Sequence, residues 1–189
     1  ITGNIYQGKV LKVERGLQAA FVDYGGVKDG FLPLRDVSHE YLTEPENGSS
    51  GGRPSLKSGQ KIIVQVVREV IGNKGALLTS YISLPGRYLV LLPNKLCGGI
   101  SRKIESEEDR QKIKTLMDQI QVPEGMGFIV RTAGINRTKQ EIQRDYQFLM
   151  RLWKEITKKA EDASEPSLLY QETDFGVRSL RDYLTQEMD

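Results

Sequence analysis

Apolar and polar positions follow two regimes along the chain. Through the first eighty residues the apolar ones come in short runs broken by glycine: 5–14, 17–24, 31–34, 61–69 and 76–82, with turns at Arg15-Gly16, Gly25-Gly26 and Gly72-Asn73-Lys74-Gly75. Runs of this length bounded by turn residues predict strands. Five short strands with one long connection predict an all-β OB-fold, a small closed five-stranded barrel. The connection, residues 38–58, carries Pro45, Pro54 and Gly48-Ser49-Ser50-Gly51-Gly52, the composition of a mobile loop.

After Pro85-Gly86 the period changes. Residues 87–93 are almost continuously apolar, which predicts a strand inside a sheet. A glycine turn and a basic pair follow in 98–104. Ser106 with Asp109 then resembles a capping pair ahead of Ile113, Leu116, Met117 and Ile120 at helical spacing. Val122-Pro123-Glu124-Gly125 ends that helix, and Phe128-Ile129-Val130 predicts a second buried strand. Thr138 and Glu141 form a capping box for a long helix whose stripe is Ile142, Tyr146, Leu149, Trp153, Ile156 and Ala160. Leu168-Leu169-Tyr170 suggests another strand, and Val177, Leu180, Tyr183 and Leu184 a last helix. The expected layout is a barrel over residues 1–84 and a small α/β (α+β) domain over 85–189.

The pleat points to chemistry on the barrel. In Ala19-Ala20-Phe21-Val22-Asp23-Tyr24, Val22 belongs inside, so Phe21 shares the outer face with Asp23. An aromatic ring on the wet face of a small barrel can stack on an unpaired base, worth roughly 1–3 kcal/mol per base. Phe31 opens the next strand as its candidate neighbour, and Lys74, between glycines in a turn, is placed to meet a phosphate; Lys9, Lys12 and Lys28 could add positive charge. The same pattern also fits two rings capping the core and lysines that keep the surface soluble.

In the second half the informative stop is Arg131-Thr132-Ala133-Gly134 directly after the Phe128 run. A strand buried up to an arginine fixes where the planar guanidinium points, and an adjoining hydroxyl supplies another donor to a phosphate oxygen. A surface ion pair would use the same arginine equally well.

Composition narrows the setting. With 189 residues, 38% hydrophobic and 28% charged, the chain reads as soluble and globular. A net charge of +2 leaves no global field to draw in nucleic acid, so any anion site is a local patch. Cys97 and His39 stand alone, which excludes an internal disulfide framework and leaves too few ligands for a conventional zinc site. No apolar run reaches membrane-spanning length, and no signal peptide is visible; a cytoplasmic location is the default. Starting on Ile1 and stopping on Asp189 after a helical pattern, the chain reads as a piece of a larger protein.

Several segments carry a resemblance. Ile5-Tyr6-Gln7-Gly8-Lys9-Val10, Ala19 to Gly25, Gly30-Phe31-Leu32-Pro33-Leu34, Gly72-Asn73-Lys74-Gly75-Ala76 and Tyr81-Ile82-Ser83-Leu84-Pro85-Gly86-Arg87-Tyr88 resemble the S1-type barrel of the RNase E/G endoribonucleases. Gly98 to Arg102, Pro123 to Gly127, Ile129 to Gly134 and Arg181-Asp182-Tyr183-Leu184 are similar to that family's 5′ sensor. The resemblance implies that Phe21, Phe31 and Lys74 contact single-stranded RNA. It also implies that Arg131 and Thr132 hold a 5′-monophosphate, with Gly86 and Val90 supporting the pocket and Arg102 nearby. The parent would be a homo-oligomeric, Mg²⁺-dependent endoribonuclease with a zinc link, acting in RNA processing and decay.

No convincing pair of strand-end carboxylates stands in this chain: Glu107-Glu108-Asp109 is a helix start, and Asp174, Asp182 and Glu187 lie in the last segment. The piece is therefore expected to hold no metal and to be inactive alone. Two other readings compete: a single-stranded nucleic-acid module without end recognition, and a scaffold whose exposed aromatics meet another protein.

Overall fold

The computed structural model describes residues 2–43, 54–95 and 99–172. The heart of the long connection (44–53), Cys97 and the expected last helix with its Arg181-Asp182-Tyr183-Leu184 motif lie outside the described residues. The chain forms two compact units. One runs through Tyr81 and takes back the chain from Lys158; the other is Ile82–Thr157.

The first unit is the barrel. Strands β1 (Ile5–Glu14), β2 (Ala19–Asp23), β3 (Gly30–Pro33), β4 (Lys61–Arg68) and β5 (Leu77–Thr79) pair in the order β1-β2-β3-β5-β4, and β4 returns to β1 to close the ring. All the pairings are antiparallel except β3 with β5. Val10, Ala20, Val22, Leu32, Ile62, Val64, Val66 and Leu78 fill the interior. Along β2, Ala20 and Val22 are buried while Phe21 and Asp23 are half-exposed, the alternation that the pleat requires.

The apolar run 168–170, which linear order assigns to the second domain, joins the barrel instead. As β10 (Ser167–Tyr170) it pairs antiparallel with Ile5, Tyr6 and Gln7 of β1. One edge of β1 is taken by β4 from Ile5 to Lys9, and the other by β2 from Lys9 onward. That leaves the first residues of β1 with unpaired backbone groups, and β10 satisfies them. Lys61 braces the return, its Nζ donating to the Ala163 carbonyl at 2.6 Å.

The second unit holds β6 (Leu84–Pro85), β7 (Leu89–Leu92), β8 (Gly99–Ile100) and β9 (Gly127–Val130), ordered β6-β7-β9-β8, with β8 and β9 parallel. Every residue of β7 and β9 is buried, as their unbroken apolar runs anticipate. Helix α1 (Glu107–Asp118) starts on Ser106, whose side chain accepts from the Asp109 amide. It ends at Asp118, before the Val122-Pro123 stretch expected to stop it.

Helix α2 (Lys139–Asp162) starts on the Thr138–Glu141 capping box, with reciprocal bonds of 3.2 and 3.3 Å. On its stripe Ile142, Leu149, Ile156 and Ala160 are buried, while Tyr146 and Trp153 are half-buried. Burying one such aliphatic side chain is worth about 1.5–3 kcal/mol, so the stripe holds the helix more firmly than its cap.

Candidate nucleic-acid interface

Pairing of β2 with β3 sets Phe21 directly opposite Phe31. Their rings meet edge to face, with centroids 6.1 Å apart and planes at 77°. Both are half-buried, and both line a cleft of about 790 Å³ with Lys74, Arg68, Asn73 and Asp29. Lys74 thus lines the same cleft as the two rings, although some fifty residues separate it from Phe21.

The turn before β5 delivers Lys74. Its amide donates to the Ile71 carbonyl at 3.1 Å, closing a tight bridge between the two residues. Next to it Gly75 passes so close to the Asp29 carbonyl oxygen that a Cβ there would lie 2.0 Å away. Only glycine lets the turn lie against this loop. Lys28 braces the same turn by donating to the Gly72 carbonyl at 2.8 Å, and Lys12 pairs with Glu14, so neither is simply loose positive charge. Arg68, Lys74, Asp29 and Glu69 all line the cleft. Two cations and two anions leave little net field, so the rings must supply much of any affinity.

The second cluster sits at the ends of β8 and β9. These parallel strands pair Ile100 with Val130, and the Ser101 amide donates to the Val130 carbonyl at 3.1 Å. Arg102 and Arg131 therefore leave the sheet at the same end. Arg102 lies exposed on the turn that follows β8. Arg131 is half-buried; its amide donates to the Tyr88 carbonyl at 2.7 Å, and its Nη1 donates to the Gly86 carbonyl. Thr132 is exposed and opens a single 3-10 turn, Thr132–Gly134. Val90, 1% exposed, packs with Leu92 and Ile129 inside the sheet.

Asp145 is the residue that linear reasoning passed over. Its carboxylate accepts from the amides of Arg87 (3.1 Å), Tyr88 (2.9 Å) and Leu89 (2.9 Å). With the Arg87 and Tyr88 amides committed, the strand expected over 87–93 starts only at Leu89 and runs to Leu92. One signal was available: three residues after Ile142 and four before Leu149, Asp145 puts a charge on the apolar stripe of α2.

Among the described residues no group of three or more His, Cys, Asp or Glu side chains could hold a metal ion. Nor is any helix among them long and apolar enough to cross a membrane.

A model of the ribonuclease E/G family matches residues 83–189, and one of the S1 RNA binding domain matches residues 1–75. The chain is 48% identical over 190 residues to ribonuclease E of Escherichia coli K12, covering 98% of this chain and 18% of that protein. It is 45% identical to ribonuclease E of Haemophilus influenzae, covering 98% and 20%. Against ribonuclease G of Escherichia coli K12 the identity is 37% over 194 residues, covering 100% and 40%. The chain thus spans about a fifth of the length of these ribonuclease E relatives.

Proposed function

The chain belongs to the ribonuclease E/G family, and from that premise we propose that it grips single-stranded RNA on the barrel and holds the RNA's 5′-monophosphate at the Arg131 cluster. The observation that carries the second part is the gathering of Arg131, Thr132 and Arg102 at one end of two parallel strands, with the guanidinium anchored on the Gly86 carbonyl. A terminal phosphate is a compact dianion. Guanidinium and hydroxyl donors together give it several charge-assisted bonds, and a guanidinium already held in place loses less freedom on binding.

On the barrel, Phe21 and Phe31 offer ring faces to unpaired bases while Lys74 meets the backbone. Stacking tolerates any base, so this grip is not sequence-specific. In the longer protein, binding at the non-reacting 5′ end would help position a distant scissile bond. That protein is, in this reading, a cytoplasmic, self-associating, Mg²⁺-dependent endoribonuclease with a zinc link. Its hydrolytic carboxylates would stand outside the residues described here.

The test is competition binding of two short RNAs that differ only in a 5′-monophosphate or a 5′-hydroxyl. The phosphorylated RNA should bind more tightly, and Arg131→Ala should erase the difference. Equal affinities for the unaltered chain would sink end recognition and leave a plain single-strand binder.

A further inference from the structure

We infer that Asp145 is the positioning residue of the proposed 5′-phosphate site, an inference that rests on that reading. Asp145 is 9% exposed, between Ile142 and Leu149 on the buried stripe of α2. A carboxylate in such a place needs its lone pairs filled. Three successive amides, Arg87 to Leu89, fill them at 2.9–3.1 Å. Chain 86–89 is therefore moulded around a resident anion, as a backbone nest is around a bound one.

Gly86 lies directly against that anion. A Cβ at this position would fall 2.5 and 2.6 Å from the two Asp145 oxygens, so glycine is required for the contact. The Gly86 amide donates to the Leu89 carbonyl at 2.7 Å and closes the turn, while its carbonyl accepts from Arg131 Nη1. The carbonyl that aims the guanidinium thus belongs to a turn whose shape Asp145 sets. Asp145 itself need not touch RNA.

Charge and position predict opposite signs. As a bare negative charge, Asp145 would oppose a phosphate dianion, and Asp145→Asn would tighten phosphorylated RNA. As the mould of the turn, it favours phosphate through Arg131. Asparagine keeps one acceptor oxygen and turns a donor NH₂ towards amides that are themselves donors, so Asp145→Asn would loosen the site.

The experiment measures dissociation constants of the 189-residue chain for 5′-monophosphate and 5′-hydroxyl versions of one short RNA, with thermal melting alongside. Asp145→Asn is expected to lower the preference for phosphate about tenfold or more while leaving the 5′-hydroxyl RNA unaffected. Gly86→Ala, which crowds the same carboxylate, should act in the same direction. The double variant should be no worse than the more damaging single one, because both break one unit. Should Asp145→Asn fail to fold, Asp145→Glu, which keeps the charge but displaces the carboxylate from the three amides, decides by the same comparison.

A preference kept or increased in Asp145→Asn, while Arg131→Ala loses it, overturns the positioning role and leaves the phosphate site standing. Equal weakening of both RNAs with a lowered melting temperature also overturns it, because the role is then only structural. No preference in the unaltered chain overturns the 5′-end reading first, and this inference with it.

Discussion

Phe21 and Phe31 face one another across β2 and β3 with ring centroids 6.1 Å apart and planes at 77°. An edge-to-face pair contributes about 0.5–1.5 kcal/mol beyond its buried area, so each ring holds the other's angle before RNA arrives. Phe21→Ala should weaken short single-stranded RNA by about 1–3 kcal/mol, roughly five- to 150-fold. Phe31→Ala removes a ring and the support of its neighbour, so the double variant should lose less than the sum of the singles. Fluorescence anisotropy with a labelled oligonucleotide reads this directly. Full affinity in both single variants would rule out the stacking platform.

Lys74 should act through charge alone. Neutralising one phosphate of a single strand contributes about 0.7 to the slope of log affinity against log salt. Lys74→Ala should therefore flatten that slope by about 0.7, and Phe21→Ala should leave it unchanged. A salt titration of all three proteins separates the two kinds of contact.

Gly75→Ala tests how the Lys74 turn is held. The new methyl would lie 2.0 Å from the Asp29 carbonyl oxygen, a backbone atom that cannot swing aside. Moving one loop off the other should cost about 1–3 kcal/mol of stability, as overpacking does elsewhere. Urea denaturation should show a lower midpoint, and RNA affinity should fall with it because Lys74 shifts. An unchanged midpoint would mean the two loops are free to part.

Tyr41 predicts an alkaline limit. Burial pushes its hydroxyl up to about 12, against a smaller lowering from the Ile63 amide, which donates to it at 3.2 Å. A folded value above the unfolded one means that the stabilisation is complete below pH 10 and fades as pH rises towards 12. Thermal melts from pH 9 to pH 12 should fall more steeply for the unaltered protein than for Tyr41→Phe, which has no proton to lose there. Parallel curves would show that the hydroxyl ionises as freely in the fold as out of it.

Much of this molecule is decided locally and can be read without coordinates. The span of β1, Ile5–Glu14, follows from its apolar run and the Arg15-Gly16 turn. Ser106 and Thr138 cap the helices they precede because the bond reaches only three residues along the chain. The outward setting of Phe21 follows from a period of two, and the family follows from short motifs whose residues are near neighbours. What the fold alone decided are the partnerships between distant positions. β10 completes the free start of β1, Lys28 braces a turn forty-four residues on, and Lys74 comes into one cleft with the two rings. Asp145 is the sharpest case: by spacing it is a charge on an apolar stripe, and only the packing of α2 against residues 86–89 supplies the donors that make a carboxylate stable there. Periodicity records which way a side chain points from its own backbone, whereas its partner depends on which remote backbone the closed fold brings alongside.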